Sequence, residues 1–285
     1  MWTYKHQSLS GLLVAMMLPA CNGDSTGPGL SPYDLADVTR GGISYDLFWN
    51  ASTGFSQTDP LIATFNTKSD FFRCKQCHGW DQLGSAGFYI NRKPTTSRPN
   101  ISSLNLASVS RTKSAELLFE AIKTGTGATR RSPSADLSTY SPASNPTIGD
   151  QMPDYGAIMS DAQIWDLVRF LKAGAFDVTL LYDFSVTGVY PTGSITFSNL
   201  GKDGSASAGA AIYSSECEFC HGSNGKARSL EGGLSLGAFL RGKPNEAQHK
   251  IRYGQLGTAM GPTLLTLAEM KSLYRYLADS VAMPR

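Results

Sequence analysis

The sequence predicts a mainly α-helical chain of two tandem helical domains, with long loops and a small β-hairpin between the halves. Three observations carry this. The run C-x-x-C-H occurs twice, as Cys74-Lys75-Gln76-Cys77-His78 and Cys217-Glu218-Phe219-Cys220-His221. Each run is followed, at a distance, by a capped amphipathic helix, and the two helices align at a constant offset of 106 positions. A single stretch between the halves has the composition of strands.

The terminal helices establish the repeat. Ser160 is placed to cap, Gln163 completes an S-x-x-Q capping box, and Ile164, Leu167, Val168 and Leu171 fall at i, i+3, i+4 and i+7. Thr266, Glu269, Met270, Leu273, Tyr274 and Leu277 take the same places in the second copy, and Phe170 matches Tyr276. Self-similarity at a fixed offset marks an internal repeat. It also disposes of two methionines: Met270 faces a core, and Met159 precedes its cap as Leu265 does, where a hydrophobic staple packs back onto the helix.

C-x-x-C-H reads as a c-type haem attachment site, with two thiols on one turn able to add across the haem vinyl groups and a histidine placed to ligate the iron. Other readings fit less well. One four-thiolate zinc site would leave both histidines as coincidences. A thioredoxin-like pair belongs beside a βαβ pattern, which neither copy has. Disulfides across C-x-x-C would close very tight loops and gain little chain entropy. The sequence therefore calls for two covalently bound haem c groups, held by Cys74 and Cys77 and by Cys217 and Cys220, with His78 and His221 on the irons.

Two methionines in loops ahead of the terminal helices remain. Met152, in Gln151-Met152-Pro153, and Met260, in Ala259-Met260-Gly261-Pro262, lie in Gly/Pro-rich loops just ahead of the terminal helices. A loop methionine is more often a gap filler. The upstream C-x-x-C-H and the matched place in the repeat instead favour each as the second axial ligand.

The order of helix, C-x-x-C-H, methionine loop and terminal helix resembles class I cytochrome c, once in each half. That family crosses its first and last helices through a small residue and an aromatic. Gly209 and Tyr213 stand before Cys217 at the family's spacing, and Leu273 and Tyr276 match its last helix. The first half departs from the pattern, since Asp70 rather than an aromatic stands four residues before Cys74. Gly41-Gly42-Ile43-Ser44-Tyr45 has the same glycine-to-tyrosine spacing, which puts the first helix near Arg40 to Trp49 with an inserted loop before Cys74. Ser114 to Lys123 and Asn245 to Tyr253 look like middle helices. Polar loops at about Asn91 to Val109 and Gly125 to Gly149 account for the greater length of the first half. The resulting division is residues 34–176 and 203–285 for the two domains and 177–202 for the linker and hairpin.

The N-terminus reads as an export signal. Residues 1–20 combine a weakly basic start with an apolar run too short to span a membrane. Leu18-Pro19-Ala20-Cys21 resembles a bacterial lipobox, so Cys21 is expected to be lipidated and residues 21–33 to form a tether. Ordinary cleavage leaving a free thiol is the rival. Asn22 resembles the outer-membrane class of such proteins. The expected location is the bacterial cell envelope, lipid-anchored at the outer membrane and facing the periplasm or the cell surface.

Charge excludes some partners. With 25 basic and 23 acidic residues there is no basic stripe for nucleic acid. Histidine is scarce: apart from His6 and the two haem histidines only His249 remains, for which packing or solvation is the ordinary role. An iron closed on both sides exchanges electrons rather than binding oxygen or peroxide. Methionine ligation and apolar surroundings, expected from Phe71, Phe72, Trp80, Phe219 and Tyr213, raise its potential. The sequence thus predicts an electron carrier between a redox donor and acceptor, and it nominates no catalytic residue. The alternative is a di-haem oxidoreductase, of peroxidase or sulfur-compound dehydrogenase type, or the cytochrome subunit of one.

Overall fold

The computed structural model describes residues 29–125 and 127–285. The export signal, Cys21 and most of the tether lie outside the described residues. The chain is mainly helical, with one two-stranded antiparallel sheet among the described residues.

In the first half, α1 (Val38–Leu47) begins where Asp37 accepts hydrogen bonds from the backbone N–H groups of Thr39 and Arg40, both at 2.8 Å. It crosses α3 (Asp161–Arg169), whose Ser160–Gln163 capping box is formed as expected. Gly41 is the point of closest approach. A Cβ there would overlap the Asp166 carbonyl oxygen and crowd the Phe170 Cβ, so only glycine lets the backbones meet. Asp166 secures the crossing by accepting from the Asp37 N–H at 2.6 Å and from Arg40 Nε at 2.8 Å. Between these helices in the chain comes α2 (Ala115–Lys123), capped by Ser114 and packed on α3.

The second half repeats the crossing. There α4 (Ala206–Glu216) meets α6 (Leu267–Leu277) at Gly209, where a Cβ would overlap the Ser272 carbonyl oxygen and crowd the Tyr276 Cβ. Ser272 and Tyr276 stand 106 positions after Asp166 and Phe170, so the repeat read from the sequence is also a repeat of atomic contacts. The middle helix, α5 (Pro244–Tyr253), starts with proline at its first turn.

The insertion before Cys74 is ordered by aromatic packing. Its short helix Ile62–Thr67 sends the fully buried Phe65 into a cluster with Phe48, Trp49, Phe55 and Phe72. Between the halves, β1 (Asp183–Thr187) pairs with β2 (Ser194–Ser198), bringing Phe184 opposite Phe197 and Val186 opposite Ile195 on the half-buried face. Phe197 stacks on Phe88 of the first half at 6.0 Å.

Two hydrophobic cores result, and they interlock. Tyr253 of α5 is buried in the first core and Leu256 packs against it, while Leu83 and Phe176 pack against the second. Met159 and Met270 are buried core residues, as their helix positions require. No helix among the described residues is long and apolar enough to cross a membrane.

Candidate haem sites

Cys74–His78 forms one short helical turn, ended by Gly79 at φ 77° and ψ 160°, a positive-φ extended backbone that essentially only glycine adopts. Three contacts fix this turn. The Tyr45 hydroxyl donates to the Gly79 carbonyl at 2.7 Å, the Tyr155 hydroxyl donates to the Phe72 carbonyl at 2.6 Å, and the Ser102 N–H donates to the Cys77 carbonyl at 3.0 Å. The same latch recurs in the second half, where the Tyr213 hydroxyl donates to the carbonyl of Gly222, the residue after His221. In each copy the first helix thereby holds the residue that follows the motif's histidine.

The first site opens onto a cleft. A cavity of about 440 Å³ is lined by Cys74, Cys77, His78 and Met152, with Asn100 and Ser102 among its polar neighbours. A second, of about 220 Å³, shares Cys74, His78 and Met152 and is otherwise walled mainly by aliphatic side chains such as Leu104, Leu118 and Leu167. A cleft that is apolar on one side and polar on the other suits a macrocycle carrying two carboxylates. The donor set fits as well. All four cysteines of the two motifs are free thiols. Burial pushes the Cys74 thiol up to about 11 and the Cys77 thiol up to about 12. Burial also pushes His78 down to about 4, leaving a neutral imidazole with a free lone pair. The Nδ1 atoms of His78 and His221 are both buried without a hydrogen-bond partner, so neither ring is committed to the protein through that atom.

Met152 is held by residues of the long insertion. Its carbonyl accepts from the Arg131 N–H at 3.0 Å, and the Asp154 N–H donates to the Arg131 carbonyl at 2.9 Å. The Arg131 guanidinium is buried over the Phe72 ring at 4.7 Å and donates to the Phe71 carbonyl. Arg131 thus joins the methionine segment to the segment entering Cys74.

The second site is more open. Cys217 is half-buried and its thiol is pushed up to about 11 by burial, whereas Cys220 is exposed. His221 is buried and its carbonyl accepts from the Ala227 N–H at 3.0 Å. Met260 sits in a loop closed by the Gln255 N–H donating to the Met260 carbonyl at 2.9 Å, and it packs with Cys217 against the second core.

Two expected haem neighbours are placed elsewhere. Phe219 is 99% exposed, because the short turn Glu218–His221 directs the His221 side inward and Phe219 outward. Trp80 is buried, but against His249 at 4.6 Å and beneath Lys75 and Lys250 rather than in the cleft. Phe71 does line the cleft, and Tyr213 is buried in the second core. His249 is a packed residue, 2% exposed among Tyr45, Trp80, Phe170 and Tyr253, and burial pushes it down to about 3. Sequence reasoning missed Asp46, Arg131 and Tyr155. Only Tyr155, three residues after Met152, had a signal in its proximity to the methionine loop.

Residues 65–175 match the family model for cytochrome c, and residues 204–277 match that for subunit III of cbb3-type cytochrome c oxidase. The chain carries cytochrome c domains. It is an electron-transfer haem protein, and its haem is covalently bound haem c. No curated protein and no solved structure matches the chain. The cytochrome c match starts after α1, yet α1 makes the same glycine crossing and the same tyrosine latch as α4 does inside the second matched span.

Proposed function

We propose that the chain is an exported di-haem cytochrome c that passes single electrons between a redox donor and a redox acceptor at the membrane surface of the cell envelope. In this reading Cys74 and Cys77 hold the first haem, with His78 and Met152 on its iron, and Cys217 and Cys220 hold the second, with His221 and Met260. The observation that carries it is the meeting of His78, Met152 and both first-site thiols around one cleft, in a chain where C-x-x-C-H and the methionine loop recur. When bound, each haem supplies a one-electron couple whose potential a methionine ligand raises. The protein's own part is to hold that geometry. The tyrosine latches fix the turn beneath each histidine, Arg131 fixes Met152, and the apolar wall excludes water.

Cys21 is the proposed lipid anchor, and the outer membrane, facing periplasm or cell surface, is the proposed site. The cysteine count supports it, because four of the five cysteines belong to the haem motifs. Replacing Cys21 with serine should release the protein from the membrane fraction; retention would remove the anchor from the reading.

Absorption spectra of the holoprotein, ferric, ferrous, and ferrous with carbon monoxide, test the function. Two haems, a methionine–iron charge-transfer band in the ferric form, and no response to carbon monoxide are expected. Ready binding of carbon monoxide would open an axial position and favour the peroxidase or sulfur-compound dehydrogenase alternative. The match of residues 204–277 to an oxidase subunit favours one second reading, in which the chain is the cytochrome subunit of an oxidoreductase complex. Stoichiometric copurification with an oxidase would support it.

A further inference from the structure

Helix α5 belongs by sequence to the second domain, yet nearly all of it is buried, because it has two sides to serve. Ala247 and Ile251 lie in the second core, while His249 and Tyr253 pack into the first half. A Cβ on Gly42 of α1 would overlap the Tyr253 ring, so that glycine admits α5. The contact is locked by polar bonds. Lys250 pairs with Asp46 at 2.9 Å, Gln248 Nε2 donates to the Trp80 carbonyl at 3.1 Å, and the Tyr253 hydroxyl donates to the Gly174 carbonyl at 2.8 Å.

This junction links the segment after His78 to the half-buried edge of the Met260 loop through packed residues. Trp80 stands two residues after His78, and its ring, 3% exposed, lies 4.6 Å from that of His249. One short step along α5 from His249 is Ile251, whose carbonyl accepts from the Thr263 N–H at 2.9 Å, on the far side of the Met260 loop. Leu256, on the near side of that loop, packs against the first core. From His78 to the Met260 loop the chain of contacts is therefore one peptide segment, one ring pair, part of a helix and one hydrogen bond.

We propose that the Trp80–His249 ring pair is the positioned route by which an electron crosses between the two halves. The inference rests on the di-haem reading. With both haems bound, by Cys74, Cys77 and His78 in one half and by Cys217, Cys220 and His221 in the other, the net step would be the loss of one electron by the reduced group and its gain by the oxidised one. No proton moves, and neither ring is itself oxidised; the π orbitals of the facing rings carry the electronic coupling between the halves. Both are positioning residues, and their aromatic character is what the route requires.

The test uses the holoprotein with both haems and four variants: Trp80→Leu, Trp80→Phe, His249→Leu and His249→Phe. Transfer between the haems is triggered by photoreduction and timed optically. Both midpoint potentials are taken by redox titration, and the dipolar coupling of the two ferric centres is taken by paramagnetic resonance. The two leucine variants should slow transfer severalfold while potentials and dipolar coupling stay as in the wild type, and the phenylalanine variants should restore most of the rate. Equal rates in the leucine and phenylalanine variants of both positions would overturn the route while leaving the carrier reading intact. A slowed rate accompanied by altered dipolar coupling would also overturn it, by showing that the rings only hold the domains apart. Two bound haems with no transfer between them in the wild type would overturn the route and the carrier reading together.

Discussion

Replacing Asp46 with asparagine should uncouple the two halves and do so in a pH-dependent way. Asp46 is 2% exposed, and it is met by Lys250 Nζ at 2.9 Å, by Lys75 Nζ at 3.9 Å and by the Arg73 guanidinium. Burial alone would favour its protonated form, but the charges of Lys250, Arg73 and Lys75 outweigh burial and hold the carboxyl well below the usual range. Its contribution is therefore complete above the unfolded value of about 3.9 and is lost as the pH falls below it. Asparagine keeps the shape and removes the one anion among three cations, and breaking a buried pair in this way costs about 3–5 kcal/mol. Lys75 then decides the pH dependence. Burial and the Arg73 charge already push it down to about 8, and without Asp46 it would titrate lower still. A lysine whose folded value lies below its unfolded value of about 10.4 releases its proton first in the native state, so stability rises with pH between the two values. The deficit of Asp46→Asn should accordingly be largest near pH 6 and shrink by pH 9. Urea unfolding of the holoprotein, followed by far-ultraviolet circular dichroism at both pH values, measures it. A loss no larger than the ~1 kcal/mol of an exposed ion pair at pH 6, or equal losses at the two pH values, would refute the reasoning.

The other predictions concern the repeat and its ligands. Gly41→Ala and Gly209→Ala should each destabilise the fold by an overpacking cost of about 1–3 kcal/mol, read as a lower thermal midpoint, since each new Cβ overlaps a backbone carbonyl of the crossing helix; a neutral result at either position would mean that the crossing is looser. Met152→His and Met260→His should each keep six-coordination and lower the potential of one haem, and an unchanged midpoint in a redox titration would show that the methionine is not the ligand. Phe219→Ser should change stability by no more than about 0.5 kcal/mol, because the side chain is exposed, and a larger shift in the denaturant midpoint would show that it is packed.

What could be read in the sequence was what local rules govern. The capping boxes at Ser160 and Thr266 and the hairpin between the halves are decided by neighbours a few residues away, so composition and spacing suffice, whereas the first helix, expected near Arg40 to Trp49, begins two residues earlier at the Asp37 cap. The glycine crossings were legible for a different reason: a missing side chain followed four positions later by an aromatic leaves a mark in each copy. The tyrosine latches could have been found the same way, since each tyrosine precedes its motif and each acceptor is the glycine that ends it. Nothing local announces Asp46, whose partners stand 27, 29 and 204 positions further along the chain. Trp80 was misassigned on the same ground. Two residues from a haem histidine, an aromatic reads as a haem neighbour, and only the arrival of α5 from the other half shows that it faces His249 instead. Each half of this protein obeys a pattern that can be read within that half. The junction is built from residues that fit neither pattern, such as a buried histidine and lysine on a middle helix, and from a glycine, Gly42, that the crossing with α3 does not use. Such leftovers within an otherwise regular repeat are the sequence trace of a surface that faces the other copy.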